Sequence, residues 1–151
     1  MAQSKNSQHV PLALYKKIIG TVPILTVDVV IVHRGKVLLH KRANEPYKGF
    51  WWTPGGRVFL GESPERAAVR KAREEVGLHV KLGGILGTLN APETRWGIKS
   101  QTISIVYEAR LITARQETVL DSQSTDVGWF SKIPSHTQKD VRKLLRKAGI
   151  R

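Results

Sequence analysis

Two adjacent glutamates, Glu74 and Glu75, close a stretch that opens on the Gly55-Gly56 pair and ends at Gly77-Leu78. Residues on a helix advance about 100° each, so Arg70 and Glu74 stack one turn apart while Glu75 points sideways. Neighbouring carboxylates near a helix C-terminus repel each other and face the unfavourable end of the helix dipole. A cation has to compensate them. Arg70 supplies part of that charge, and a bound Mg²⁺ would supply the rest through oxygen ligands. A glycine turn running into such a helix prepares a site for a hard divalent cation and the diphosphate it carries. A Glu-Glu pair alone is most often a solvated helix surface, so the weight falls on its companions Gly56, Glu62, Arg70 and Gly77.

The helix that must hold these groups has clear ends. Ser63 can cap it, Pro64 suits its first position, Glu65 adds favourable charge in the first turn, and Gly77 supplies a left-handed stop. Ala68, Val69, Ala72 and Val76 make its expected buried stripe. Upstream, Pro11–Ile19 reads as a short helix ended by Gly20 and Pro23. Ile24–Val32 and Val37–His40 read as a hairpin turned at His33–Lys36, and Phe50–Thr53 as an extended aromatic segment. Val80–Asn90 and Thr102–Ile112 are further strands flanking a loop at Ala91–Gln101, which carries Pro92, Trp96 and Gly97. Asp126–Phe130 completes the strands, and Asp140–Lys147 is a C-terminal amphipathic helix. The order β-β-β-α-β-β-β-α predicts an α/β fold with a mixed sheet between helices.

Composition narrows the classes. A chain of 151 residues is the length of one domain with a sizeable core. We expect residues 1–10 to form a flexible tail and 11–151 a single domain. Hydrophobic content of 40% without a long apolar run argues against a membrane span. The polar N-terminal stretch lacks a signal segment, which points to a cytoplasmic location. With no cysteine, disulfides, thiol catalysis and Cys-bound zinc are excluded. The net charge of +13 is spread along the chain, without the aromatic strand of an RNA-stacking surface. It reads as a field that gathers small anions rather than a nucleic-acid footprint.

The segment Gly56–Leu78 resembles the Nudix box: Gly, five residues, Glu, seven residues, Arg-Glu-apolar-any-Glu-Glu-any-Gly-apolar. Every fixed position matches except Lys71, which stands where the family has the Glu after the Arg. The resemblance covers roughly residues 22–135 and implies an α/β/α sandwich. It also implies a metal held by the Gly55 carbonyl, Glu74 and Glu75, with Glu62 supporting the site and Arg70 orienting the carboxylates. A protonated lysine cannot ligate Mg²⁺, and four residues before Glu75 it is placed for an ion pair. Fewer metals are therefore expected, with Glu74 as the general base.

A narrower resemblance spans Lys41–Val58, which is similar to a segment of GDP-mannose mannosyl hydrolases. It implies that Arg42 and Arg57 grip the diphosphate, as guanidinium forks do. Gln123 matches that branch's metal-binding glutamine. Ser124 stands where the branch has a catalytic histidine, and serine is no base near neutral pH. His136 is the one candidate substitute, although a histidine after Pro134 is usually a surface residue; His33, His40 and His79 sit in turn or strand positions without motif support. Of the tryptophans, only one of Trp51 and Trp52 can face a given side of a strand, and the family resemblance implies a loop opposite the site for Trp96, the better base-stacking candidate.

These readings lead to a Nudix hydrolase dependent on Mg²⁺, with Mn²⁺ as a substitute. Its expected substrate is a nucleoside diphosphate linked to another group, foremost a nucleotide sugar such as GDP-mannose. ADP-ribose or an oxidised nucleoside triphosphate is the rival substrate, and a non-catalytic RNA-binding module the rival class. A small nucleotide is the expected partner, with neither membrane nor nucleic acid, and the branch's dimers make a homodimer one arrangement for the apolar N-terminal helix.

Overall fold

The computed structural model describes residues 10–151; the expected tail lies outside the described residues except for Val10. The elements are α1 (Leu12–Ile19), β1 (Ile24–His33), β2 (Lys36–Arg42), β3 (Trp51–Trp52), β4 (Gly55–Arg57), α2 (Pro64–Val76), β5 (Val80–Arg95), β6 (Ile98–Leu111), β7 (Ser124–Phe130) and α3 (Lys139–Lys147). Among the described residues no helix is long and apolar enough to cross a membrane.

β1 is the spine of a mixed seven-stranded sheet. It runs parallel to β6 from Ile24↔Thr102 to Ile31↔Ala109, and antiparallel to β4 at Thr26↔Arg57, Val27↔Gly56 and Asp28↔Gly55. Its β-branched run is buried on both faces, as a central strand requires. Val27, Val29 and Ile31 point to α2, packing with Ala67, Ala68, Ala72 and Val76. Val30 points the other way, into a second core with Val106, Leu89 and the α3 residues Val141, Leu144 and Leu145. One helix on each face makes the α/β/α sandwich. A fully buried Val or Leu contributes about 1.5–3 kcal/mol, so these two cores fix the strands that carry the site.

Two features of this frame shape the site. β2 pairs with β1 only at Val32↔Val37 and His33↔Lys36 before it turns away to join β3 and β7. The gap left by this divergence admits β4 and the C-terminal turn of α2. The second feature is that α3 covers only part of its sheet face. Ile24, Thr26 and Asp28 of β1, with Thr102 and Ser104 of β6, floor an open cleft beyond it.

α2 is closed at both ends by its own sequence. The Ser63 hydroxyl accepts from the Arg66 N–H at 3.2 Å, Pro64 opens the helix, and Gly77 sits at φ 72° with its N–H on the Arg73 carbonyl while the Leu78 N–H reaches the Ala72 carbonyl. Its buried stripe is corrected at one position. Ala67 is buried, whereas Val69 is 40% exposed. The loop expected at Ala91–Gln101 is absent: β5 and β6 pair continuously to Arg95↔Ile98 and turn at Trp96-Gly97.

Candidate active site

The cleft has a volume of about 220 Å³ and takes its walls from β2, β4, β5 and α2. Behind it, Arg70 is held by four acceptors. Its Nε and Nη2 donate to the two Glu62 oxygens at 2.7 and 2.9 Å, its Nη1 to Glu74 at 3.1 Å, and Nη2 also to the Arg57 carbonyl at 3.0 Å. The guanidinium carbon lies 4.0 Å from the centre of the Phe59 ring. Glu62 accepts in addition from the Phe59 N–H at 3.1 Å. The Arg70 hydrogen bonds hold the Glu62 carboxyl below the usual carboxylate range, against the opposing effect of burial. Arg70 thereby ties α2 to the loop and to β4 behind Gly56. None of Glu62, Arg70 and Glu74 lines the cleft, and Glu74 is half-exposed.

Glu75 does enter the cleft. It is buried, one carboxylate oxygen accepting from the Gly55 N–H at 3.0 Å and the other 2.9 Å from the Lys71 ammonium. The expected ion pair between Lys71 and Glu75 is thus formed, and Lys71 also stands 3.7 Å from Glu74. Gly55 has no room for a side chain, because a Cβ there would lie 2.3 Å from the Val27 carbonyl oxygen. The absent side chain lets this backbone lie close against β1, where its N–H meets Glu75.

Sequence reasoning missed two buried polar residues here. Asp28 projects from the middle of β1, and its carboxylate accepts from Trp52 Nε1 at 3.0 Å, Thr53 Oγ1 at 2.9 Å and Ser104 Oγ at 2.5 Å. Burial pushes its pKa up to about 6 although the three hydrogen bonds pull the other way, and the nearby Glu75 charge adds to the rise. A lone aspartate inside a β-branched run was the available signal. His40 has no motif to mark it, yet it lies 3.8 Å from Glu75. Its Nε2 is 3.1 Å from the Thr53 carbonyl and its Nδ1 is 2.6 Å from the Ser124 hydroxyl. A carbonyl only accepts, so Nε2 carries the proton and Nδ1 accepts from Ser124. Burial lowers its pKa, against the raising effect of Glu75. The signal was its place two residues before Arg42, on the same face of β2.

Arg42 and Arg57 both line the cleft, each beside aromatic rings. Arg42 lies 5.5 Å from the Trp52 ring and donates to the Pro46 carbonyl; Arg57 lies 5.0 Å from Tyr15 and 5.8 Å from Phe59. Tyr47 and Trp52 stack with centroids 5.2 Å apart and line the same wall. Gln123 reaches the cleft from the loop before β7, its amide oxygen accepting from Asn44 at 3.2 Å. Trp96 is placed elsewhere: it lies at the tip of the β5–β6 hairpin, edge-on to Tyr15 and outside the cleft lining. Trp51 packs on Phe130.

Among the described residues no group of three or more His, Cys, Asp and Glu side chains is spaced to hold a metal. Of the groups expected to hold a metal, the cleft offers a hard cation the Glu75 carboxylate, the Gln123 amide oxygen and the Gly55 carbonyl, with the Asp28 and Glu93 carboxylates also in its lining. That donor set fits a Mg²⁺-like ion that keeps waters and takes ligands from a phosphate.

A family model described as "NUDIX domain" matches residues 22–136. A protein of Haloferax volcanii named "Low-salt glycan biosynthesis protein Agl8" is 43% identical over 84 residues, 56% of this chain and 54% of its own length. An "ADP-ribose pyrophosphatase" of Methanocaldococcus jannaschii is 34% identical over 112 residues, 74% of this chain and 65% of its own. The chain thus spans between half and two thirds of these curated relatives. Among solved structures, a MutT NUDIX hydrolase from Burkholderia pseudomallei superposes with a TM-score of 0.73 at 27% identity, over 83% of this chain and 98% of that one.

Proposed function

This chain belongs to the NUDIX family of hydrolases, and we propose that it cleaves a nucleoside diphosphate linked to a second group. A nucleotide sugar of the GDP-mannose type is the leading substrate. One observation carries the reading: Arg42 and Arg57 face the same cleft as Glu75 and Gly55, so two guanidinium forks and a metal-ligand set share one diphosphate-sized space. Glu75, Gly55 and Gln123 would hold Mg²⁺ or Mn²⁺, which when bound polarises a phosphate oxygen and makes water a stronger nucleophile.

The chain's own residues do the rest. Arg42 and Arg57 bind the diphosphate and offset the charge that develops on the leaving phosphate. Tyr47 and Trp52, their rings tilted by 32°, offer an aromatic wall to a base or sugar, and Asp28 fixes Trp52 by its indole N–H. Arg70 and Glu62 set the pitch of α2 and so the reach of Glu75; Glu74 acts through Arg70 and Lys71.

Attack at the sugar carbon would need a side-chain base with a free lone pair. Ser124 is no such base, and both His40 nitrogens are engaged. Our reading is therefore attack at phosphorus, giving a nucleoside monophosphate and a sugar 1-phosphate. The relative named for glycan biosynthesis supports the sugar, while the one named as an ADP-ribose pyrophosphatase supports ADP-ribose as the second reading. Hydrolysis of GDP-mannose, ADP-ribose and 8-oxo-dGTP with Mg²⁺ in ¹⁸O-water separates them. The expected result is GMP and mannose 1-phosphate with label in a phosphate. Label in free mannose would overturn the site of attack, and no hydrolysis of any of the three would overturn the reading.

A further inference from the structure

Lys71 has no direct part in binding or catalysis under the hydrolytic reading. Its ammonium lies 2.9 Å from one oxygen of Glu75 and 3.7 Å from Glu74, and its side chain is only 15% exposed. The stem runs across Gly56, where a Cβ would fall 2.6 Å from the lysine Cε. The glycine thus leaves a track along which the lysine reaches Glu75. Arg70 already engages Glu62 and Glu74. Counting Glu62, Arg70, Lys71, Glu74 and Glu75, the cluster carries a single net negative charge, and a carboxylate in place of Lys71 would leave three.

We propose that Lys71 is a tethered cation that neutralises Glu75 in the resting enzyme, so that the divalent metal enters only together with the diphosphate. The inference rests on the metal-dependent reading above. A free divalent ion meeting the resting cleft finds the Glu75 carboxylate already paired with an ammonium and a backbone N–H, and the other buried carboxylate, Asp28, taken up by Trp52, Thr53 and Ser104. A metal carried on a diphosphate brings oxygen ligands of its own. The same diphosphate offers the lysine new anionic partners, since an ammonium is a compact charge on a flexible stem and exchanges acceptors readily. Lys71 is therefore a positioning residue that sets the order of loading.

The test is calorimetric titration with Mn²⁺ alone, and with GDP in the presence and absence of Mn²⁺. The proteins are the wild type, Lys71→Met, Lys71→Gln and the double variant Lys71→Met/Glu75→Gln, each checked for folding by thermal melt. Mn²⁺ alone is expected to bind the wild type weakly and either lysine variant about tenfold more tightly, the scale seen when partners of metal ligands change. The double variant should lose that gain, which a general effect on folding would not produce. GDP should bind the wild type about tenfold more tightly with Mn²⁺ than without, and by linkage GDP should tighten Mn²⁺ by the same factor. Equal Mn²⁺ affinity in the wild type and both lysine variants would overturn the tether while the hydrolase reading stands. Failure of every protein to bind Mn²⁺, with GDP or without, would overturn both.

Discussion

Arg70 and Lys71 are neighbours in sequence, yet they serve the carboxylates of α2 on opposite terms. Arg70 spreads a planar fork over four acceptors and an aromatic face, and every one of them belongs to the scaffold. Lys71 offers a point charge to Glu75 at the cleft. The first arrangement is closed, because each bond fixes the direction of the next. The second is open to exchange, because an ammonium has no preferred direction. On this view one turn of helix holds a rigid clamp that shapes the site and a removable counter-charge that keeps it neutral.

The sharpest way to break the comparison is at the carboxylate that only the open side serves. Glu75→Gln keeps the shape and removes the charge, so kcat/KM should fall by at least about 100-fold, roughly 3 kcal/mol of transition-state stabilisation. The far-UV spectrum should be unchanged, while the melting temperature drops modestly as Lys71 loses its partner. Near-normal turnover in that variant would remove Glu75 from the site.

Arg57→Ala comes next. Its side chain faces the cleft while its backbone serves the clamp, so the substitution leaves the Arg70 bond to its carbonyl in place. Loss of charged hydrogen bonds to a diphosphate costs about 1.5–3 kcal/mol, or about 10- to 150-fold in kcat/KM. An unchanged kcat/KM would take Arg57 out of substrate binding.

How much of this was legible in the sequence depends on how local the cause is. α2 was readable from Ser63 to Gly77 because its cap, first-turn proline and left-handed stop all act within a few residues. The Lys71–Glu75 pair was readable for the same reason, one helical turn being a fixed distance. Asp28 was not, because its partners Thr53 and Ser104 are brought to it by strand pairing 25 and 76 positions away. His40 meets Ser124 only because β2 and β7 lie side by side, 84 positions apart in the chain. The Ala91–Gln101 error has a different origin. Pro92 and Gly97 read as breakers, but β5 has only β6 beside it, and such a strand tolerates proline. Val69 departs from the expected stripe because small alanines let α2 approach the sheet closely, so Ala67 is buried where hydrophobicity alone favours the valine.

A smaller effect sharpens the closed half of the comparison. Glu62→Gln leaves Arg70 short of one charged partner and should lower stability by about 1–3 kcal/mol, read by urea denaturation. Activity should fall less than in Glu75→Gln, since the cleft lining is untouched. If Glu62→Gln proves as damaging to catalysis as Glu75→Gln, the clamp is part of the chemistry rather than its frame.

The smallest expected effect is in pH. Arg70 depresses the Glu62 carboxyl in the folded state, so its stabilisation is complete above the carboxylate's ordinary pKa. That contribution is lost as pH falls through the depressed folded value. Wild type and Glu62→Gln should therefore converge in stability on acidification below the ordinary carboxylate range. A gap that stays constant through that range would mean that the glutamine is disruptive for another reason.

The bond from Trp52 to Asp28 has a practical corollary. Of the four tryptophans, all within the described residues, Trp52 alone lines the cleft, its indole N–H held by a buried carboxylate. Indole emission shifts with the charges and dipoles around the ring. A nucleotide laid against that wall changes those surroundings for one emitter and leaves the other three in place. The enzyme thus carries its own optical gauge of cleft occupancy, and Trp52→Phe supplies the blank.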